Sequence, residues 1–531
     1  MRKLISAVIC IGLLGGSSWA QTQVRRSSPQ APPTTASTFE KWDKRDAAHL
    51  LRRAGFGGSE ADIQQIYTLG RTAAIDFLVN YEDADNSLMD AKMAAYDNPN
   101  PGLGLDVSKL QYGQTTLING APVDTRYNYY LTQVERWWVF RMANSRKPLE
   151  EKLALFWHDH FATGAGKVND WQYMLWQNEL LRAGAGGNFR TFVTEVSKDP
   201  AMLVWLDNRL NVRGRPQENF ARELMELFTI GIGNYTENDI KESAKAFTGW
   251  GLRNRVFTFT SGSHDTSNKT FLGVSINGLA GDLGVQEGLT ILRLLTEHPV
   301  TARYMSEKLF EFFAYDDPSP DVISRLAAVF VANKDQDDQI KKVVRAIFES
   351  PEFWSEKAQR SQVKSPIEYV VTAMKQLNAS INWTQSRGNT VNPAYASQQM
   401  GMRMFEPPDV AGWDWGTSWF NTATTLVRFN YANSVATARL GSDGRVTQIY
   451  VDPTALMKDK NLVSADDVVD YFLELMVESE VSDDTRYALT EYLQTDDAGK
   501  YVPFTLSATM IDKKVRGLIY LIMIHPEYQM K

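Results

Sequence analysis

The amino-acid sequence predicts a mainly α protein, a large multi-helical globular domain with a small β-hairpin insertion. From Phe39 onward apolar residues recur at spacings of three and four, the period of a helix with one buried face. Helix-start signals of the capping-box type stand at Ser59, Thr236 and Ser464, each followed three residues later by an aspartate. Strand-like alternation is best developed in one stretch, Arg255 to Phe271, where Val256-Phe257-Thr258-Phe259-Thr260 precedes a Ser-Gly-Ser-His-Asp turn region.

Taken in order, residues 1–20 read as an export signal. Arg2 and Lys3 supply the positive start, Leu4 to Leu14 the apolar stretch, and Ser18-Trp19-Ala20 a small-x-small cleavage site. Residues 21–38 are rich in Ser, Thr, Pro and Gln and form a flexible leader with little to bury. A main helical domain is expected over 39–438, with a C-terminal helical region, 439–531, packed on it. The periodicity places helices from Ser59 to Gly70, over about 130–144, 149–161 and 218–229, and from Thr236 to about Phe247. Further helices follow over about 285–296, 301–313, 338–348 and 366–377, and from Ser464.

Composition excludes several function classes. At 531 residues, 43% hydrophobic and 22% charged, the chain has ample material for a buried core. Its single cysteine, Cys10, lies inside the export signal, so the mature chain is expected to have no disulfide, thiolate ligand or cysteine nucleophile. Loss of Arg2 and Lys3 lowers the 56 basic residues to 54 against 63 acidic ones. An acidic exported chain without a long basic tract is a poor nucleic-acid binder. No later stretch is apolar enough to span a bilayer, so the mature chain is expected to lack a transmembrane segment and to work in the periplasm or outside the cell.

Four constellations carry chemistry. In the segment 216–228, at about 100° per residue, Glu218, Arg222, Glu226 and Glu223 fall at roughly 0°, 40°, 80° and 140°, opposite Phe220, Leu224 and Leu227. Such a stripe is either a solvated face with internal ion pairs or the wall of a polar cleft. In a cleft, one carboxylate serves as general base or metal ligand and Arg222 holds an anionic group. His158 and His160 diverge by about 200° on a helix, so only one of them reaches a common site unless the helix has ended. Their other reading is a packed core role beside Phe156, Trp157 and Phe161. His264 and Asp265, in the expected hairpin turn, are either local turn residues or, folded over the acidic helix, members of a divalent-metal ligand set with Glu223 and one of the two histidines. The fourth, Met404 to Asn421, holds Trp413, Trp415 and Trp419 among prolines and glycines, which suits either a flat-faced sugar platform or a plug onto a helical core. HExxH, GxSxG, P-loop and EF-hand motifs do not occur.

Several blocks together resemble the bacterial family called domain of unknown function 1800. They are His49-Leu50-Leu51-Arg52-Arg53-Ala54-Gly55-Phe56-Gly57, the segment Phe156 to Phe161, Glu218 to Leu227 with Tyr235-Thr236-Glu237, Phe247-Thr248-Gly249-Trp250, and Pro407-Pro408 with Gly412-Trp413 and Trp419. The likeness spans about residues 39 to 531. It implies a large, exported, mainly helical protein with no reaction to carry over, and a partner in a second exported family of sulfatase-like appearance. Many relatives have histidine where this chain has Phe228, a departure that weakens a metal reading here.

Two functions follow from different classes. One is an envelope enzyme with an acidic-helix cleft of Glu218, Arg222, Glu223 and Glu226, acting by acid–base chemistry or with a divalent metal. The other is a non-catalytic envelope protein that binds a polysaccharide or an exported partner.

Overall fold

The computed structural model describes residues 42–87, 117–118, 121–122, 128–382, 392–447, 449–478 and 481–531. The expected export signal, leader and Cys10 lie outside the described residues. Within them the chain is mainly helical, and its sheets are small two-stranded antiparallel pairs.

The local signals place the helices closely. Helices run over Glu60–Leu69, Asn128–Asn144, Pro148–His160, Glu237–Ala246, Val285–Thr296, Pro299–Phe313, Gln339–Phe348, Pro366–Gln376 and Ala465–Met476. At Ser59, Thr236 and Ser464 the hydroxyl accepts the N–H three residues on, and the aspartate there reaches back to the cap N–H. Both exchanges satisfy donors that helix starts leave open.

Two expectations are corrected. The acidic helix is shorter than its pattern, Asn219–Glu226, because Phe228 N returns to the Glu223 carbonyl and Gly231 N to that of Met225. The strand region forms two hairpins. Trp250–Arg253 pairs with Val256–Phe259, and Lys269–Phe271 pairs with Val274–Ile276. The first turns at Asn254 and Arg255, both at positive φ (51° and 71°), the conformation of a type I′ turn. His264 and Asp265 therefore lie in the connector between hairpins and not at a hairpin tip.

Apolar side chains gather into three clusters. One packs Trp157, Phe189, Phe228, Trp250 and Phe313 among the helices between residues 44 and 358. A second begins at Tyr369 and draws on the Ala465–Met476 and Arg516–Met523 helices. A third joins Trp138, Leu155, Phe405, Trp413 and Trp419. The end of the chain is threaded into the interior: Lys364 N donates to the Gln529 carbonyl at 2.8 Å and Lys531 N to that of Gln362 at 2.7 Å.

Charge is buried as well. Glu151, fully buried, accepts from Arg182 Nε at 2.9 Å, Arg141 Nε at 2.8 Å and the Trp138 indole at 3.1 Å. Glu368 is shared by Lys152 and by Lys531, whose Nζ is 2.6 Å away. Breaking one partner of such a group leaves the other unpaired in low dielectric, a cost of about 3–5 kcal/mol. No helix among the described residues is long and apolar enough to cross a membrane.

Candidate functional site

The acidic helix buries Phe220, Ala221, Leu224 and Met225 and turns its charged stripe outward. Arg222 is the hub of that stripe. Its guanidinium donates two hydrogen bonds of 3.0 Å to Glu237, from the next helix, and lies 3.5 Å from Glu218 and 3.6 Å from Glu226. The Tyr235 hydroxyl donates to Glu226. Hydrogen bonding to Glu237 holds Arg222 firmly charged. Glu223, half-buried beside this hub, is raised above the usual carboxylate range by burial and then by Glu226, against the pull of Arg222. The side-chain exposures of Glu218, Arg222 and Glu226, 38%, 33% and 22%, describe a partly solvated ion-pair network and not a closed cleft.

The imidazoles do not meet this helix. His158 is buried between the rings of Trp138, Phe405 and Trp413, and its Nε2 accepts the Phe405 backbone N–H at 3.1 Å. Burial lowers it to about 3, so it stays neutral. His160 lies on another side of the same helix, as the period requires, and its Nε2–H donates to the Phe228 carbonyl at 3.2 Å. Burial, then Lys308, holds it well below the ordinary imidazole range. Phe228 packs on Phe161 and presents its carbonyl to His160.

His264 belongs to a third environment. Its Nδ1–H donates to the Thr248 carbonyl at 2.9 Å and its Nε2 is 3.1 Å from Glu287, which Lys269 also meets at 2.5 Å. Asp265 turns away, accepting from Ser267 N at 2.9 Å and Ser267 Oγ at 2.5 Å. His264 and Asp265 share Thr248 as a neighbour, and His160 reaches Phe228 just beyond the acidic helix, yet no three His, Cys, Asp or Glu side chains among the described residues are placed to hold one metal ion. The set expected from the sequence is not brought together, because each imidazole is consumed by a backbone group or a buried carboxylate.

The tryptophan segment is tied down by a residue that sequence patterns do not single out. Asp159, between the two histidines, accepts the Trp413 backbone N–H and the Trp415 indole N–H, each at 2.8 Å. Trp413 and Trp419 are buried, each 5% exposed, and Trp415 is half-buried with Lys531 Nζ 5.3 Å from its ring centre. Trp413 and Trp419 are packed into the interior, whereas Trp415 keeps part of its surface accessible. Spacing offers no signal for Asp159's role, since its partners lie about 250 residues away.

Open space lies elsewhere. A groove of about 940 Å³ runs between the Glu60–Leu69 helix, the ends of the Asn128–Asn144 and Pro366–Gln376 helices, and residues 378–382. Ser59, Asp62, Gln65, Asn144, Arg146, Lys375 and Asn378 line it together with Phe77 and Phe140. A smaller cavity of about 560 Å³ lies between the Lys44–Ala54 helix and the Ala465–Met476 helix, with Glu478 in its wall.

Fold and site together define a mainly helical protein whose sequence motifs build its interior and whose open polar surface is a groove. The chain belongs to the family described as protein of unknown function DUF1800, whose model matches residues 49–530. No curated protein and no solved structure matches it.

Proposed function

We propose that the protein is an exported, non-catalytic binding protein of the cell envelope, and that the 940 Å³ groove takes a hydroxyl-rich polymer such as a polysaccharide. One observation carries this reading: hydroxyl and amide groups line the groove together with the charged Asp62, Arg146 and Lys375, the rings of Phe77 and Phe140, and aliphatic side chains. Sugars need this pairing, because their hydroxyls exchange hydrogen bonds with amides while their C–H faces rest on rings. The motif residues support it indirectly, since His158, His160, His264, Trp413 and Trp419 are engaged in packing and hydrogen bonding. Calorimetric titration of the mature chain with purified envelope polysaccharides tests the proposal. Binding weakened about tenfold or more by Gln65→Ala with Asn144→Leu is expected. Failure of every polysaccharide to bind, or binding indifferent to both substitutions, sinks it.

Acid–base chemistry at the acidic helix is the second reading, favoured by Glu223, whose raised carboxyl suits a proton-transfer role. Here Glu223→Gln abolishes activity without lowering thermal stability, whereas under the first reading it changes neither binding nor phenotype. The second exported protein of sulfatase-like appearance implied by family resemblance is the partner proposed under either reading.

A further inference from the structure

Arg52, Arg360 and Lys364 come from two separate segments and meet inside the molecule beside Glu478, with Glu368 near enough to attract Lys364 and Glu527 near enough to attract Arg360. Arg52 is ion-paired with Glu478, and Arg360 Nη2 lies 4.0 Å from the same oxygen. The side chains of Arg52, Arg360 and Glu478 are 3%, 5% and 2% exposed, and Lys364 is 1% exposed. Gln376 Nε2 donates to Glu478 at 3.1 Å, so this carboxylate is already committed. Lys364 Nζ donates to the Tyr528 carbonyl at 2.6 Å, and Arg360 Nη1 donates to the Glu527 and Met530 carbonyls at 2.7 and 3.2 Å. Neutral carbonyls relieve the donors without balancing the charge.

Glu368 is already shared by Lys152 and Lys531, so positive groups outnumber carboxylates here, an expensive arrangement for a protein interior, where unpaired charge costs several kcal/mol. Guanidinium groups do not escape by losing a proton at neutral pH. The cluster also has unfilled hydrogen-bonding capacity: Arg52 Nε, Arg360 Nε, Arg360 Nη2 and the Tyr528 hydroxyl are buried with no hydrogen-bond partner among the described residues. Burial, then mutual repulsion, pushes Lys364 well down, and Arg360 falls to about 9 for the same reasons. We infer that Arg52, Arg360, Lys364 and Tyr528 form a binding site for a small inorganic anion, a halide or a tetrahedral oxyanion, which neutralises the cluster and accepts its unfilled donors. Glu478 lines the 560 Å³ cavity, whose walls also carry Lys44, Lys460, Arg486, Glu60 and Glu474. The inference is independent of the polysaccharide groove, which lies against other residues.

The test uses the mature chain dialysed exhaustively into gluconate buffer. Ion chromatography after acid denaturation should recover about one equivalent of bound anion. If the anion exchanges out during dialysis, chloride or inorganic phosphate added at constant ionic strength should raise the melting temperature in a saturable way. A response to chloride alone identifies a halide site, and a response to phosphate alone an oxyanion site; both support the inference. Lys364→Met should abolish the response, and Tyr528→Phe, which removes only a hydroxyl, should weaken apparent affinity several-fold if the first variant does not fold. No recovered anion together with equal melting in gluconate, chloride and phosphate overturns the inference. So does a wild-type response that folded Lys364→Met and Tyr528→Phe proteins both retain.

Discussion

Asp159 Oδ2 accepts the Trp415 indole N–H at 2.8 Å while Oδ1 accepts the Trp413 backbone N–H at the same distance, so one carboxylate fastens the tryptophan segment to the Pro148–His160 helix. Burial pushes this carboxyl up to about 6 against those two hydrogen bonds. Only the ionised form accepts through both oxygens without carrying a proton. Trp415 fluorescence is therefore expected to titrate with a midpoint near pH 6, and Asp159→Asn to remove that transition. The linkage sign is that of a raised acid: the group's contribution to stability is full below about 3.8 and is lost as pH rises through about 6. A flat fluorescence profile between pH 5 and 7 would show that the carboxylate does not hold Trp415.

The same attachment makes Gly412 irreplaceable. Its φ is +94°, and a Cβ there would stand 2.4 Å from Asp159 Oδ1 and 2.8 Å from the Asp159 carbonyl oxygen. Gly412→Ala is expected to cost about 2–4 kcal/mol of unfolding free energy, from backbone strain together with displacement of the carboxylate. Gly416, at φ +70°, has open space where a Cβ would point, with nothing within 4 Å. It isolates the backbone part, so Gly416→Ala should cost about 1 kcal/mol. Equal losses in urea denaturation of the two variants would refute the close approach.

Helix positions are legible in the sequence because their signals are local. The Thr236 cap and its Asp239 are neighbours along the chain, and the burial of Phe220, Leu224 and Met225 follows from period alone. A hairpin insertion is legible in the alternation of Val256 to Thr260, but the position of its first turn is not, because Asn254-Arg255 lacks the glycine that usually marks two consecutive positive φ angles. The acidic stripe is visible as a face, but Glu237, the carboxylate that occupies Arg222, comes from the next helix and is hidden from periodicity. Arg52 and Arg360 are the sharpest case: charged residues are ordinarily taken as solvent-facing, and only tertiary packing shows them buried.

Two ion-pair hubs of similar appearance should differ in energetic weight. Arg222 pairs with Glu237, Glu218 and Glu226 at a partly solvated surface, where screening leaves little net gain. Arg222→Ala should lower the melting temperature by less than about 2 °C. Glu151 is fully buried between Arg182 and Arg141, so Glu151→Gln, which leaves two guanidinium groups facing a neutral amide, should cost about 3–5 kcal/mol. Raising salt to about 1 M should erase the small Arg222 effect and leave the Glu151 effect in place. Comparable losses in the two variants would mean that burial does not separate the hubs.

Acid stability tests the neutral histidines. Burial lowers His158 to about 3 and holds His49 and His160 well below the ordinary imidazole value of 6.5. A base depressed in the folded state contributes stability that is present above 6.5 and is lost as pH falls toward the folded value. Asp159 and Asp199, raised by burial to about 6 and about 7, act in the opposite sense over roughly pH 4–6. As pH falls below 6.5, unfolding therefore takes up protons at these histidines, and at His525, which burial also depresses, while the two aspartates release theirs. The His158 share of this loss is about 1.4 kcal/mol per pH unit between pH 6 and 4, where the unfolded imidazole is protonated and the folded one is not. His158→Gln, which retains an acceptor for the Phe405 N–H, should make the dependence of stability on pH between pH 6 and 4 shallower by about that amount. Urea denaturation at pH 6, 5 and 4 measures it, and a slope unchanged in the variant would mean that His158 titrates alike in the folded and unfolded chains.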